Sequence, residues 1–330
     1  MKRERVAIIG SGPAGLTAAL YTARAQLSTV VFVGRLLGGQ ISTTHEVENF
    51  PGFPNGTTGP ELVENMKLQA EKFGAKLVFE SVTEVDLTKG SPFRLKTDND
   101  DEYLADTVIV TIGANPRELQ IPGEKQYVGR GVSYCATCDG FFFRGKDITV
   151  VGGGDSALQE ALFLTKFGKS VNIIHRRDDL RASIALQTRA KAHPKISFTY
   201  STIVEEVKGE GSEGAPAVVK SIILRDLKTG NVYEKPTDGV FIFVGYDPNS
   251  WLFKGQLDLS VDEYMKIDSN MQTSIDGVFA AGEIHDSVFR QAITAAGDGC
   301  KAALSAIKWL GEREDTLQPL DAVPVAAAGD

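Results

Sequence analysis

The stretch Arg5-Val6-Ala7-Ile8-Ile9-Gly10-Ser11-Gly12-Pro13-Ala14-Gly15 decides the fold. A short apolar run ends in a glycine turn, Leu16 to Ala25 continues with good helix formers, and Thr29 to Val33 is β-branched and apolar. Strand, glycine turn, helix, strand is the order of a dinucleotide-binding unit. Gly10, Gly12 and Gly15 permit the tight turn and the close approach of backbone to a pyrophosphate, whose charge rests on the following helix N-terminus, with Pro13 and Ala14 inside the turn. The same order recurs at Ile148 to Val151, Gly152-Gly153-Gly154-Asp155-Ser156-Ala157, a helix through Phe167 stopped by Gly168, and a strand from Val171 to Ile174. The chain therefore reads as α/β, with two Rossmann-like dinucleotide-binding domains.

At 330 residues the chain is long enough for more than one core. Leu104 to Gly113 and Gly239 to Val244 are apolar strands followed by a Gly- and Pro-containing connector. They bracket an insert of about 130 residues, an ordinary domain size. The expected organisation is one domain in two parts, 1–115 and 247–311, interrupted by a second at 116–246. Lys208 to Ala215 reads as a hairpin loop, and 312–330 as a tail without periodicity, expected to be disordered.

Apolar residues make up 42% of the chain and the net charge is −8, which favours solubility and argues against nucleic acid as a partner. Gly10 and Gly12 interrupt the first apolar run too early for a signal sequence, and nothing approaches the roughly 20 apolar residues of a membrane span. The chain reads as cytoplasmic. Its 3 cysteines do not make an extracellular disulfide scaffold.

The two units differ at the end of the second strand. An NAD site carries an acid there, but the first unit has Val33-Gly34-Arg35. Ribose recognition in this half must differ. The second unit has His175-Arg176-Arg177, with Arg181 expected one helical turn beyond. Arginine forks match a phosphate, so this site suits the 2′-phosphate of NADPH. A solvated basic face is the plainer reading.

Between the two turns stands Cys135-Ala136-Thr137-Cys138-Asp139-Gly140. A Cys-x-x-Cys pair lowers the pKa of one thiol and suits disulfide exchange, and Asp139 is placed to move the accompanying proton. Zinc and an inert buried pair are the alternatives; for zinc the further ligands would have to come from Cys300 and the scattered His45, His175, His193 and His285. No metal site is expected. Cys300 lies in a Gly- and Ala-rich helical stretch and reads as a small core residue.

Gly10 to Gly15, Gly38-Gly39-Gln40, Glu46 to Gly52, Cys135 to Gly140, Gly152 to Ala157, His175 to Ala182, and Ala280 to Glu283 with Phe289 to Ala292 together resemble the low-molecular-weight thioredoxin reductases over about residues 5 to 311. The resemblance implies an FAD/NAD(P)-binding fold of three-layer ββα type. It implies FAD on the first turn, with Gly39, Gln40, Asn49, Gly282, Glu283, Arg290, Gln291 and Ala292 around the ribityl chain and ring system. NADPH would lie on Gly152, Gly154, Asp155, Ser156 and Ala157, with His175, Arg176, Arg177 and Arg181. Cys138 would face the flavin, Cys135 would attack the partner disulfide, and Asp139 would serve as acid and base. Arg130, Phe141 and Phe142 match positions that meet thioredoxin, although an aromatic run is as readily core. Family members are commonly homodimers and rotate one domain against the other between half-reactions, here about connectors near Gly113 to Pro116 and Gly245 to Pro248.

Two positions depart from the family pattern, Glu283 where Asp is usual and Phe289 where Tyr is usual. Relatives that take electrons from ferredoxin or a second flavin lack the arginine motif, so His175-Arg176-Arg177 argues against that reading. Reduction of another small redox protein, or a redox sensor without sustained turnover, remain the rival functions.

Overall fold

The computed structural model describes residues 1–44, 46–211 and 216–317. The chain forms two compact units, Met1–Ala114 with Pro248–Asp330, and Asn115–Asp247. His45 and half of the expected hairpin loop (212–215) lie outside the described residues, as does 318–330 of the expected tail; Lys208 to Glu210 of that loop belong instead to a strand.

In the first unit, β1 (Lys2–Ile9), β2 (Thr29–Phe32), β3 (Lys76–Val78), β4 (Val82–Asp86), β5 (Phe93–Thr97), β6 (Glu102–Val110) and β17 (Val278–Ala280) form one sheet in the order β3-β2-β1-β6-β5-β4, with β17 also on β6. The strands from β3 to β6, and β17, are parallel, while β5 and β4 add antiparallel. Alternation along the strands divides their side chains between two cores. Val6, Ile8, Val31, Ile109 and Phe279 meet the alanines of α1 (Pro13–Arg24) and α6 (Ala292–Leu317). Ala7, Ile9, Phe32, Val108, Val110 and Val278 face the opposite core with Leu95, Phe253 and Leu257. Both faces are covered, which is why the parallel strands read as unbroken apolar runs. Helix α6 reaches Leu317, so the chain stays helical into the stretch expected to lack structure; Arg313 lies over the Trp309 ring at 5.1 Å, and Lys308 lies 3.7 Å from Glu312.

In the second unit, β8 (Val132–Ser133), β9 (Asp147–Val151), β10 (Ser170–Ile174), β11 (Ile196–Thr199) and β15 (Gly239–Ile242) make a parallel sheet in the order β11-β10-β9-β15-β8. Ile148, Val150, Val171, Ile173 and Phe241 pack on one face with α4 (Asp155–Leu164) and α5 (Ile184–Ala192). Val151, Ile174, Val240 and Ile242 pack on the other against an antiparallel sheet of β12 (Thr202–Glu210), β13 (Val218–Asp226) and β14 (Val232–Pro236). Sheet, sheet and helix layers are thus stacked. Helix α4 ends three residues before Phe167, and Gly168 N donates to Leu164 O at 2.9 Å.

The chain crosses between the units through β7 (Ala114–Pro116) and β16 (Tyr246–Pro248), which pair as a two-stranded sheet. On one side Arg117 Nη2 lies 2.7 Å from Asp247 Oδ1; on the other, Asn249 donates through Nδ2 to Ile112 O at 2.8 Å.

Candidate functional site

The first glycine turn follows β1 directly. Gly10 adopts φ +110°, and a Cβ there would stand 2.5 Å from Thr111 O, so only glycine fits between β1 and the end of β6. Gly15 lets α1 approach so closely that a Cβ would fall 2.0 Å from Gly10 O. Gly12 is the N-cap of α1, Pro13 opens the helix, and a Cβ on Gly12 would lie 3.8 Å from Gly38 O. The turn and the Gly38-Gly39 segment therefore face one another with little between their backbones. Gln40 donates to Ala114 O, within the same unit.

The segment after β17 comes to the same turn. A Cβ on Gly282 would lie 3.0 Å from Ala14 Cβ, and one on Gly299 would lie 2.1 Å from Ala14 O, which places Glu283 and the start of α6 beside the turn. Asp286 caps the loop that follows, its carboxylate accepting from the amides of Val288, Phe289 and Arg290 at 2.9, 2.8 and 3.0 Å. Arg290 has φ +49°, an uncommon conformation for a bulky residue, and reaches Tyr264 Oη at 3.3 Å. Asn49 donates to Gln291 Oε1 at 3.3 Å. Glu283, Asn49, Arg290, Gln291 and Ala292, distant in sequence, thus belong to one region. The capping role of Asp286 has its ordinary sequence signal, an Asp before a tight loop.

Burial pushes the Glu283 carboxyl up to about 7, with the Asp286 charge adding to the effect and Arg290 opposing it. Its carboxyl takes no hydrogen bond among the described residues. A carboxyl whose folded value is raised favours the unfolded chain once it ionises, so the flavin-free protein loses stability as pH rises from about 4.5 to about 7. At about 1.4 kcal/mol per tenfold in proton affinity, the loss is on the order of 3 kcal/mol. Glu283→Gln is expected to flatten this dependence in urea unfolding of the apoprotein, raising stability above neutral pH and leaving it nearly unchanged in acid. A variant with the wild-type slope would place the carboxyl in water.

The second turn has the same construction. Gly152 has φ +153°, and a Cβ there would stand 2.5 Å from Phe243 O, while Gly154 caps α4 with open space at its Cβ position. Ala157 is buried beneath the turn and Ser156 is exposed on the first helical turn. Asp155 holds the neighbouring loop, accepting from Ser183 N at 2.6 Å.

His175 is buried, and a Cβ on Gly153 would fall 2.3 Å from its Nδ1, so the ring supports the turn from below. Burial, together with the charges of Arg181, Arg177 and Arg176, holds its pKa below the ordinary value, although a contact with Asp179 O at 3.1 Å opposes this. Arg176, Arg177 and Arg181 are all exposed. Arg181 does not stand one helical turn beyond Arg177, because 176–183 is irregular; the amides of Arg181 and Ala182 both donate to Gly153 O, at 2.8 and 3.1 Å. That pair of bonds brings the third arginine to the turn.

The dithiol lies at the short helix α3 (Ala136–Asp139) between β8 and β9, with Cys135 as its N-cap and Cys138 inside it. Cys135 and Cys138 are joined by a disulfide. Cys138 N points at Cys135 Sγ from 3.2 Å and Thr137 Oγ1 lies 3.4 Å from the same sulfur. Once the bond is reduced, this donor favours a thiolate at Cys135 over one at Cys138. Burial raises the Asp139 carboxyl above its ordinary value while a hydrogen bond with Ser133 opposes the shift, so Asp139 holds a proton more readily than a solvated carboxylate. Ser133 also accepts from Cys135 N at 3.0 Å. A lone serine carries no signal in sequence, so its part in the site shows only in the fold.

Phe141 is exposed, with Arg144 over its ring at 4.7 Å, whereas Phe142 packs against the helix-side core. Arg130 N donates to Tyr127 O at 2.8 Å and its guanidinium to Gln126 O. Cys300 is half-buried on α6, beside Tyr21. Among the described residues no group of three or more His, Cys, Asp or Glu could hold a metal ion, and no helix is long and apolar enough to cross a membrane.

Residues 4–299 match the pyridine nucleotide-disulphide oxidoreductase family. A thioredoxin reductase of Streptomyces clavuligerus is 52% identical over 326 residues, covering 97% of this chain and 98% of its own length. A bifunctional thioredoxin reductase/thioredoxin of Mycobacterium leprae is 50% identical over 310 residues, 94% of this chain and 66% of the relative. The solved structure of a thioredoxin reductase from Giardia duodenalis superimposes with a TM-score of 0.88 at 41% identity, over 94% of this chain and 100% of that one. The family match spans both glycine turns and the dithiol between them, so the chain belongs to the pyridine nucleotide-disulphide oxidoreductases and, among them, to the thioredoxin reductases.

Proposed function

We propose that the protein carries two electrons from NADPH, through FAD and the Cys135–Cys138 disulfide, to thioredoxin. NADPH, a proton and oxidised thioredoxin give NADP⁺ and the thioredoxin dithiol. The observation that carries the reading is the disulfide itself, set beside Asp139 in a unit whose glycine turn is flanked by exposed arginines. The first turn fits FAD: Gly12 and Gly38 leave the backbone approach that a pyrophosphate needs, and Glu283 presents a carboxyl without a hydrogen bond where ribityl hydroxyls would donate. Bound flavin supplies the step that protein side chains cannot, accepting a hydride and returning an electron pair to the disulfide.

The protein's own residues do the rest. Gly10, Gly12 and Gly15 hold the first pyrophosphate site open, and Gly152 and Gly154 hold the second. Arg176, Arg177 and Arg181 recognise the 2′-phosphate. Cys135 attacks the partner disulfide, Cys138 resolves the mixed disulfide, and Asp139 gives and takes the proton that moves with the thiols. Asp139→Asn is therefore expected to slow thioredoxin reduction roughly a hundredfold while NADPH still bleaches the flavin at the wild-type rate. A loss shared equally by both half-reactions would make Asp139 a structural residue.

Nicotinamide and disulfide are carried by the same unit, yet each must reach one flavin held by the other. The crossings at β7 and β16 are the hinges in this reading. Phe141, the exposed member of the aromatic pair, and Arg130 are the residues proposed to meet thioredoxin. The M. leprae relative, named for both activities, supports thioredoxin as the partner class. A homodimer in the cytoplasm, where a dithiol can be kept cycling, completes the proposal.

The test is turnover. Purified protein with FAD should oxidise many equivalents of NADPH per flavin when thioredoxin is supplied and almost none when it is withheld. A sensor would be reduced once and stop, and a reductase for another small redox protein would leave thioredoxin oxidised.

A further inference from the structure

A dinucleotide turn of this kind normally ends its second strand in an acid that takes the hydroxyls of the adenosine ribose. Here β2 ends at Phe32, and the next residue, Val33, is apolar and buried. It has nothing to offer a diol. A carboxylate does stand one strand away. Beyond the ends of β2 and β3 the backbone pairing continues, with Val33 N donating to Val78 O at 2.8 Å and Gly34 N to Glu80 O at 3.0 Å. Glu80 therefore lies beside Gly34, on the edge of the sheet where strand C-termini and the glycine turn face the ligand. Ser11, within that turn, is tied to the same segment, donating to Val33 O at 3.2 Å and accepting from Gly38 N at 3.2 Å.

One oxygen of this carboxylate also lacks a donor. Glu80 Oε2 is buried and has no hydrogen-bond partner among the described residues. Such an oxygen is costly to leave unpaired, and native structures seldom do so. Gly34 has φ +73°, and a Cβ there would meet nothing within 4 Å, so the space alongside is open. Arg35, the neighbouring cation, is exposed to solvent.

We propose that Glu80 replaces the missing strand-end acid and accepts hydrogen bonds from the ribose hydroxyls of the adenosine half of FAD. The assignment rests on the first turn being the FAD site. A ribose diol presents two O–H donors to one carboxylate, which matches an oxygen that needs a donor and a site that lacks an acceptor. Two ordinary strands, rather than one, then share the work of reading the dinucleotide.

The test uses the full-length apoprotein and measures affinity by quenching of flavin fluorescence, for FAD and for its analogue carrying 2′-deoxyadenosine. Wild-type protein is expected to bind the analogue about tenfold less tightly than FAD, as befits a hydrogen bond to a charged group. Glu80→Gln should weaken FAD by a similar factor and bind the two flavins almost equally, with its melting temperature no lower than wild type. Adding Val33→Glu to Glu80→Gln returns an acid to the strand end and should recover FAD affinity and the preference over the analogue. If Glu80→Gln weakens both flavins equally, Glu80 holds the loop, by pairing with Arg35 for instance, and the assignment is overturned. Wild-type protein that binds no FAD would overturn the reading of the turn, and this assignment with it.

Discussion

Cys135→Ser and Cys138→Ser are each expected to abolish thioredoxin reduction, by more than a thousandfold, while NADPH continues to bleach the flavin. Disulfide exchange needs one thiolate to attack and a second to release the mixed disulfide, so neither sulfur suffices alone. The two variants should nevertheless fail differently. Cys138 N lies 3.2 Å from Cys135 Sγ, which favours the thiolate at Cys135. In Cys138→Ser that thiolate remains, attacks oxidised thioredoxin and has no neighbour to release it, so a stable mixed disulfide should accumulate and run as a larger species on non-reducing gels. In Cys135→Ser little should form. Accumulation in Cys135→Ser instead would exchange the two roles, and retained turnover in either variant would remove the dithiol from the electron path.

Much of this site is legible in the sequence because its parts are local. A glycine turn between an apolar strand and a helix announces itself, since the φ values and close approaches at Gly10 and Gly152 admit no other residue. The dithiol and Asp139 sit within one short run, and their chemistry needs only that proximity. What escapes the sequence is whatever depends on contacts across the fold. His175 stands in the same motif as Arg176 and Arg177, and only burial shows that its ring props up Gly153 while the arginines face outward. Asp155 looks like part of a phosphate turn, yet it holds Ser183 and so shapes the loop that carries Arg181. The sheet of β12, β13 and β14 was equally hidden. Its residues alternate weakly, and they become a core layer only because β9, β10 and β15 present a second apolar face for Val207, Ile222 and Leu224 to cover.

The arginine loop sets the other large effect. Arg176→Ala combined with Arg177→Ala is expected to weaken NADPH by about a hundredfold to ten-thousandfold, at roughly 1.5 to 3 kcal/mol for each charge-assisted hydrogen bond. NADH, which has no 2′-phosphate, should be used almost as before, so the measurement is the ratio of kcat/KM for the two nucleotides. The structure gives reason to expect selectivity. Both side chains are exposed and neither belongs to the core, whereas the loop backbone is held independently by the Arg181 and Ala182 amides on Gly153 O. Removing the two guanidinium groups should therefore leave the turn standing. His175 provides the contrast: its replacement by Ala would leave a gap beside Gly153 and should impair both nucleotides alike. Should the double arginine variant lose NADH and NADPH equally, the cations support the loop and the 2′-phosphate is recognised elsewhere. Restoring one charge as Arg176→Lys with Arg177 intact would then separate the remaining contributions, because lysine keeps the charge and loses the planar fork on which a phosphate contact depends.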